Sequence, residues 1–379
     1  MRILVLNWRC PRNPKAGGAE VFTYEIARRL VAEGHRVEWF SASFPGAPSS
    51  EVMDGIQIVR KGRQFTVHWH AFRRYRKNLT NHFDAVVDEV NTVPFFAPLW
   101  SSVPAFMLIH QLAREVWWYE MRFPLSLLGF MAESFYLRCY RTARVLALSP
   151  STQRDLVRLG FRGPITLVPP GLNVADTPRV LSKEAEPTLL YVGRLAPSKR
   201  VSDIVRAFAL FKEEVPTGRL WLVGSGSPSY VAKLKRAIAR LRLTRDVQLW
   251  GWIPESRKRD LMGRAHILTM ASVREGWGLA VLEANACGTP AIVYDVPGLR
   301  DSVQNGRTGL LVQPDPSALA RELVTLWNDR DLYRRLTEQA IIESAKHSWD
   351  QSAATFGGAI AEGLAESERL AGSRLMGGI

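Results

Sequence analysis

The stretch REGWGLAVLE, Arg274 to Glu283, sets two carboxylates, Glu275 and Glu283, eight positions apart. Gly276-Trp277-Gly278 and an apolar run lie between them. Gly276 and Gly278 permit close backbone approach or a positive φ. LAVLEANA reads as a helix, so the glycines sit just before its N-terminus. Free N–H groups and the positive end of the helix dipole suit a phosphate there. Glu275 falls on the loop, and Glu283 lies about one and a half turns into the helix. Carboxylates accept hydrogen bonds from hydroxyls such as those of a sugar. A first-turn glutamate plus a solvated one fits the same letters, so local physics leaves both readings open.

Other residues stand at the ends of strand-like runs. Arg194 and Lys199 follow the apolar run TLLYV, as a basic pair or as two solvated cations. Gly17-Gly18 follows a strand and precedes a helix starting near Ala19, a phosphate-approach loop by geometry with a simple turn as the alternative. His110 closes the strand AFMLIHQ; it points to a site beyond the strand end or is a satisfied structural histidine. Glu89 and Asn91 end the preceding strand. GSGSPS (224–229) has Gly224 and Gly226 but Ser229 where a dinucleotide fingerprint needs its third glycine. The D-x-D of Asp329-Arg330-Asp331 lies in the helical stretch LWNDRDLYRRL and reads as a solvated helix boundary. Cys10, Cys139 and Cys287 are too scattered for a metal site or a disulfide framework, which fits a reducing cytoplasm. No metal is expected.

These residues need a scaffold. Near-continuous Val/Ile/Leu runs recur at Arg2–Asn7, Arg36–Ala42, Ala85–Asn91, Ala105–Gln111, Arg144–Ser149 and Ile165–Pro169. They resume at Thr188–Arg194, Arg219–Ser225, Val247–Trp252, His266–Ala271, Ala291–Val296 and Gly309–Val312. Such runs suit parallel strands buried on both faces. Helix-period segments alternate with them: Ala19–Glu33, Ser151–Leu159, Val201–Glu214, Tyr230–Leu241 and Ser317–Trp327. The fold class is therefore α/β, with two Rossmann-like domains facing a central cleft. A chain of 379 residues fits two domains. The polar stretch 173–187 separates them, giving residues 1–175 and 186–350, with a C-terminal helix of about 352–372 packing back on the first. No apolar run is long enough to cross a membrane, and MRILVLN reads as a first strand and not as a signal peptide. The net charge of +14 suggests an anionic partner, and most of the excess lies in the N-terminal half.

The whole pattern resembles the retaining glycosyltransferases of the GT-B fold, family four. LNWRCPRNPKAGGAE resembles the family's N-terminal glycine loop, and LLYVGRLAPSKR its strand-G-R-L…K segment. WLVGSGSP resembles its G-x-G turn, VQLWGWIP its base-reading strand end, and ASVREGWGLAVLEANACGTPAIVYDVPG its donor helix. The five stand in the family's order over nearly the whole chain. The resemblance implies that Glu275 binds donor-sugar hydroxyls and Glu283 the ribose. It implies that Gly278 and Leu279 lend N–H groups to the phosphates, with Gly17, Gly18, Gly193 and Gly224 in the glycine turns. Arg194 and Lys199 would hold the diphosphate; cations placed there favour the charge a departing nucleoside diphosphate gains. Trp252 and Ile253 would flank the base, and His110 would stand near the reacting sugar. The implied reaction is transfer from a UDP- or GDP-sugar with retention at the anomeric carbon, by front-side attack assisted by the leaving phosphate. No cofactor is implied beyond the nucleotide-sugar substrate.

Competing readings are a sugar-nucleotide epimerase of the same fold and a basic nucleic-acid-binding protein, though no helix-turn-helix, zinc or RRM signature supports the latter. A phosphorylase would need a pyridoxal-phosphate lysine and a longer chain. For the acceptor, Arg60–Lys77 holds seven basic residues and no acid, with Phe65, Trp69, Phe72 and Tyr75 interleaved. Trp117–Tyr119 and Phe123–Phe135 add bulky apolar residues ahead of Arg138, Arg141 and Arg144. Aromatic anchors with flanking cations suit an anionic bilayer; an aromatic core helix beside a solvated basic face also fits. The expectation is a cytoplasmic enzyme, peripheral at the inner face of the cell membrane, that extends a glycan or lipid-linked acceptor in envelope or exopolysaccharide synthesis.

Overall fold

The computed structural model describes residues 1–79, 82–173 and 182–376. The domain-boundary stretch expected from sequence lies partly outside these residues. The chain divides into two units: residues 1–113, 129–171 and 349–379 form the first, and residues 114–128 and 172–348 the second.

The first unit is built on an eight-stranded sheet in the order β3-β4-β2-β1-β5-β6-β7-β8. Its strands are β1 (Arg2–Leu6), β2 (Arg36–Ser41), β3 (Ser50–Met53), β4 (Ile56–Arg60), β5 (Ala85–Glu89), β6 (Ala105–Ile109), β7 (Arg144–Ala147) and β8 (Ile165–Leu167). All pairings are parallel except that of the edge strand β3 with β4. The β3–β4 hairpin was not read from the sequence. Its turn is Asp54-Gly55, both at positive φ (48° and 78°), the backbone that tight hairpins require. The helices are α1 (Gly18–Ala32), α2 (Val67–Arg74), α3 (Val116–Glu120), α4 (Leu125–Tyr136) and α5 (Pro150–Arg158), of which α3 and the first turn of α4 group with the second unit. Helix α13 (Trp349–Met376) returns to the first unit: Trp349 meets Phe22 edge-on at 5.7 Å, and Arg144 pairs with Glu366.

The second unit is a six-stranded, wholly parallel sheet in the order β11-β10-β9-β12-β13-β14. Its strands are β9 (Thr188–Val192), β10 (Arg219–Val223), β11 (Val247–Gly251), β12 (Ile267–Met270), β13 (Ala291–Tyr294) and β14 (Gly309–Val312). Helices α6 (Val201–Glu214), α7 (Pro228–Arg240), α8 (Glu255–Arg264), α9 (Leu279–Ala286) and α10 (Leu299–Ser302) connect them, and α11 (Pro316–Asn328) and α12 (Arg330–Ser344) follow the last strand. Strands such as TLLYV are buried at every position, as a sheet covered on both faces demands. The D-x-D motif falls at the junction of α11 and α12. Asp329 caps α12 by accepting from the Leu332 N–H at 2.8 Å, and Asp331 pairs with Arg334. These two carboxylates are thus used for capping and a surface pair.

Residues 114–128 were expected in the first domain but group with the second unit. Glu115 accepts from Arg274 Nε at 3.0 Å, and Glu120 accepts from both the Ser198 hydroxyl and its N–H. Among the described residues no helix is long and apolar enough to cross a membrane.

Candidate functional site

In the second unit the sheet places Lys199 against Glu275. Strands β9 and β12 are neighbours. Lys199 ends a 3-10 turn, Pro197–Lys199, beyond β9, and Glu275 lies on the loop after β12. Lys199 Nζ donates to Glu275 Oε1 at 2.5 Å, and Ser272 Oγ donates to the same oxygen at 2.6 Å. Glu275 Oε2 has no hydrogen-bond partner among the described residues, so it is available to a ligand hydroxyl. The loop is fixed from behind: the Glu275 N–H donates to Pro297 O at 3.0 Å. At Gly298 (φ 86°) a Cβ would stand 1.9 Å from the Glu275 carbonyl oxygen, so only glycine allows this approach.

The residues flanking this pair are held by 114–128. Arg274, buried just before Glu275, is the partner of Glu115; Ser198, just before Lys199, is the partner of Glu120. Sequence reasoning missed both glutamates, because the partners stand 159 and 78 positions away and leave no local signal.

Gly278 caps α9 with φ 98°, one of the two backbone roles its sequence position permitted, and Leu279 opens the helix. Glu283 lies along α9, and its Oε2 accepts from Lys258 Nζ of α8 at 2.9 Å. Burial pushes the Glu283 carboxyl above the usual carboxylate range, against the pull of Lys258. Burial also acts to lower the Lys258 ammonium, but Glu283 and Glu255 outweigh it and hold the ammonium above its ordinary value. Lys258 is a third residue the sequence did not reveal.

The neighbouring strand ends close on one another. The Gly193 N–H donates to Val223 O at 3.0 Å and the Gly224 N–H to Gly251 O at 2.8 Å. A Cβ on Gly224 would lie 1.9 Å from the Gly193 oxygen. Tyr191, fully buried beneath, donates its hydroxyl to Arg194 O at 2.7 Å. Burial, then the Glu275 charge, raises this phenol well above its ordinary range, so it stays a donor. The Arg194 side chain is exposed and has no ion-pair partner among the described residues. Trp252 is 77% exposed, while Ile253 packs against the core.

In the first unit the expected residues meet at the ends of β1, β5 and β6. His110 Nε2 lies 3.0 Å from Glu89 Oε1, which also accepts from Asn91 Nδ2 at 3.0 Å. Thr23 Oγ1 of α1 donates to Glu89 Oε2 at 2.7 Å. Phe22 packs edge-on against the imidazole at 5.3 Å. Asn7, fully buried, reaches Asn91 at 3.4 Å, and its own amide nitrogen has no partner among the described residues. The Gly17-Gly18 loop differs from the open phosphate approach expected of it. The Gly17 N–H is taken by Glu20 Oε2 at 2.6 Å, and Arg9 Nε bonds the other carboxylate oxygen at 2.7 Å. Burial, outweighing Arg9, raises the Glu20 carboxyl above its ordinary range. Gly18 remains exposed. Among the described residues no group of three or more His, Cys, Asp or Glu side chains is arranged to hold a metal.

Two family models match the chain: "Glycosyltransferase Family 4" over residues 16–176 and "Glycosyl transferases group 1" over residues 175–342. A D-inositol 3-phosphate glycosyltransferase of Streptomyces avermitilis is 32% identical over 90% of this chain and 82% of its own length. Among solved structures, sucrose-phosphate synthase of Thermosynechococcus elongatus matches with TM-score 0.79 and 22% identity, covering 96% of this chain and 99% of that one. The Anabaena protein HepE in complex with UDP-glucose matches with TM-score 0.75 and 18% identity, covering 97% of this chain and all of that one.

Proposed function

Because the chain belongs to the glycosyl transferases group 1 and is a glycosyltransferase of the GT-B fold, we propose that the second unit binds a nucleoside diphosphate sugar through Lys199, Arg194, Glu275 and Glu283 and transfers the sugar with retention. The observation that carries this reading is the Lys199–Glu275 contact of 2.5 Å beside the N-terminus of α9. It sets a cation and a carboxylate with one free oxygen next to backbone N–H groups suited to phosphate.

Lys199 and Arg194 neutralise the diphosphate as it leaves, with the N–H groups of Gly278 and Leu279 adding further donors. Glu275 Oε2 orients a sugar hydroxyl, and Glu283 takes the ribose hydroxyls in place of part of its Lys258 contact. The anomeric carbon loses its bond to the diphosphate oxygen and gains one to an acceptor hydroxyl on the same face. The proton of that hydroxyl passes to the leaving phosphate. No step calls for a metal. HepE is solved with UDP-glucose, which supports a UDP-sugar as the first donor to try. Incubation with UDP-, GDP- and ADP-sugars should give binding and slow hydrolysis with one nucleotide class. No binding of any of them would overturn the reading.

The acceptor side draws on α4, which is turned inside out. Ser126 and Glu133 are buried, while Leu125, Leu128, Met131 and Phe135 are exposed, Phe135 at 70%. Phe123 just before the helix is 76% exposed, and Arg122 and Arg138 flank the apolar face. An apolar face left to water and rimmed by arginines suits an anionic bilayer. This supports a peripheral, cytoplasmic-face enzyme acting on a lipid-linked acceptor. Replacing Leu128, Met131 and Phe135 by Ser should abolish sedimentation with anionic vesicles and leave donor hydrolysis intact. Wild-type protein that stays in the supernatant at low salt would remove the membrane from the proposal.

A further inference from the structure

A second cation cluster lies in the first unit. His70, Arg73 and Arg74 share a face of α2, Lys77 follows in the π-helical turn Tyr75–Leu79, and Lys61 stands just past β4. These five side chains line a cavity of about 230 Å³, and no carboxylate lines it among the described residues. Arg60, which the sequence grouped with these basics, is not part of the cluster: it is buried and bonds to Glu51, Cys10 and Pro48.

Of the cations lining the cavity, Arg74 is answered by Glu38 at 3.0 Å. Lys61, Arg73 and Lys77 have no side-chain hydrogen bond or ion pair among the described residues; Arg73 merely rests over the Trp69 ring at 5.9 Å. Elsewhere in the first unit surface cations such as Arg12 and Arg2 are answered by carboxylates, Glu51 and Asp84. Crowded like charges repel, and a concave cluster concentrates positive potential. Binding an anion relieves both effects. Three unpaired cations exceed the charge of one carboxylate and match a phosphate, whose several oxygens take arginine forks and lysine points together.

We propose that this cavity is a phosphate-binding site, distinct from the donor residues of the other unit, which takes the phosphate of a soluble ligand or of a lipid headgroup. It does not rest on the donor reading.

The test uses inorganic phosphate and the full chain carrying R194S/K199S, so that the other basic pair does not contribute. Calorimetry at fixed ionic strength should show one saturable phosphate site. Adding K61S/R73S/K77S should weaken it at least tenfold. Adding K233S/K235S/R236S, which removes the same charge from exposed positions on α7, should leave it unchanged. The proposal fails if the parent shows no saturable binding, if binding survives K61S/R73S/K77S, or if the α7 control loses as much. Sedimentation of the wild-type chain with phosphatidic acid vesicles separates the two sources. Displacement by inorganic phosphate, with loss of pelleting in K61S/R73S/K77S, assigns the site to a lipid headgroup. Unchanged pelleting in that variant, with calorimetric binding lost, assigns it to a soluble phosphorylated ligand.

Discussion

The carboxylates of the two units are held in opposite ways. In the first unit Glu20, Asp88 and Glu89 are wholly buried and bonded through both oxygens. In the second, Glu275 and Glu283 are partly exposed, each carries a lysine from another element, and Glu275 keeps an oxygen free. A fully satisfied buried carboxylate is costly to disturb and fixes its neighbours in place. A half-satisfied one at a strand end can exchange a contact for a ligand. The first unit therefore uses its acids as scaffold beneath His110, and the second presents them.

If that contrast is right, the largest effect comes from removing Lys199. Lys199→Ala should lower kcat by about 10²–10³, the scale of a lost charge-stabilising donor, with little change in stability. Glu275→Ala should also lower turnover more than affinity. Because each side chain holds the other, the double variant should cost much less than the sum of the two. Additive losses in steady-state kinetics with the true donor would show that the pair does not act as a unit. Next in size is Glu283→Ala. Loss of a charge-assisted bond of about 1.5–3 kcal/mol should raise the donor KM roughly 10- to 100-fold while kcat changes little. An unaltered KM would remove Glu283 from the donor site.

The first unit should respond in stability instead. Asp88 accepts from the Phe95 and Ala97 N–H groups at 3.0 and 2.9 Å and from the Tyr140 hydroxyl. Burial raises its carboxyl to about 6 despite those bonds. Asp88→Ala leaves these donors unanswered, at about 1–3 kcal/mol for a buried orphan. Denaturant titration should show that loss, and donor affinity should not move. A donor-affinity change on the scale of Glu283→Ala would erase the contrast.

Much of this contrast was legible in the letters. Near-continuous apolar runs announced strands buried on both faces, and LAVLEANA matches α9 from end to end. Gly278 was expected to tolerate a positive φ and adopts 98°. What stayed hidden is whatever depends on distant partners. Glu115, Glu120 and Lys258 are ordinary surface letters until folding brings them to Arg274, Ser198 and Glu283. The β3–β4 hairpin escaped because SEVM is polar and half-exposed at the sheet edge, although its Asp-Gly turn was a usable sign. The α4 face was visible as an apolar run, but its inversion was not, since a sequence cannot say which side of such a run is covered.

The smallest effect concerns His266, at the start of β12 in the second unit. It is buried, its Nδ1 accepts from the Thr188 N–H at 3.1 Å, and Trp327 stands edge-on at 5.1 Å. That contact needs the unprotonated nitrogen. Burial, then the charges of Lys183 and Arg330, depresses the imidazole to about 4. The unfolded chain has the ordinary value near 6.5. As pH falls below 6.5 the unfolded state takes up a proton that the folded state refuses, so stability present above 6.5 is lost progressively down to about 4. At pH 5.5 the loss amounts to about 1.4 kcal/mol on this linkage. His266→Asn keeps an acceptor oxygen for the Thr188 N–H but does not titrate. The stability advantage of wild type over the variant should therefore shrink by about that amount between pH 7.5 and 5.5. Raised carboxyls such as Asp88 and Glu20 shift stability in the opposite sense but do so equally in both proteins. Denaturant titrations at the two pH values measure the difference. A gap that stays constant would mean that His266 takes up its proton in the folded state, and that the second unit is open to water at the base of β12.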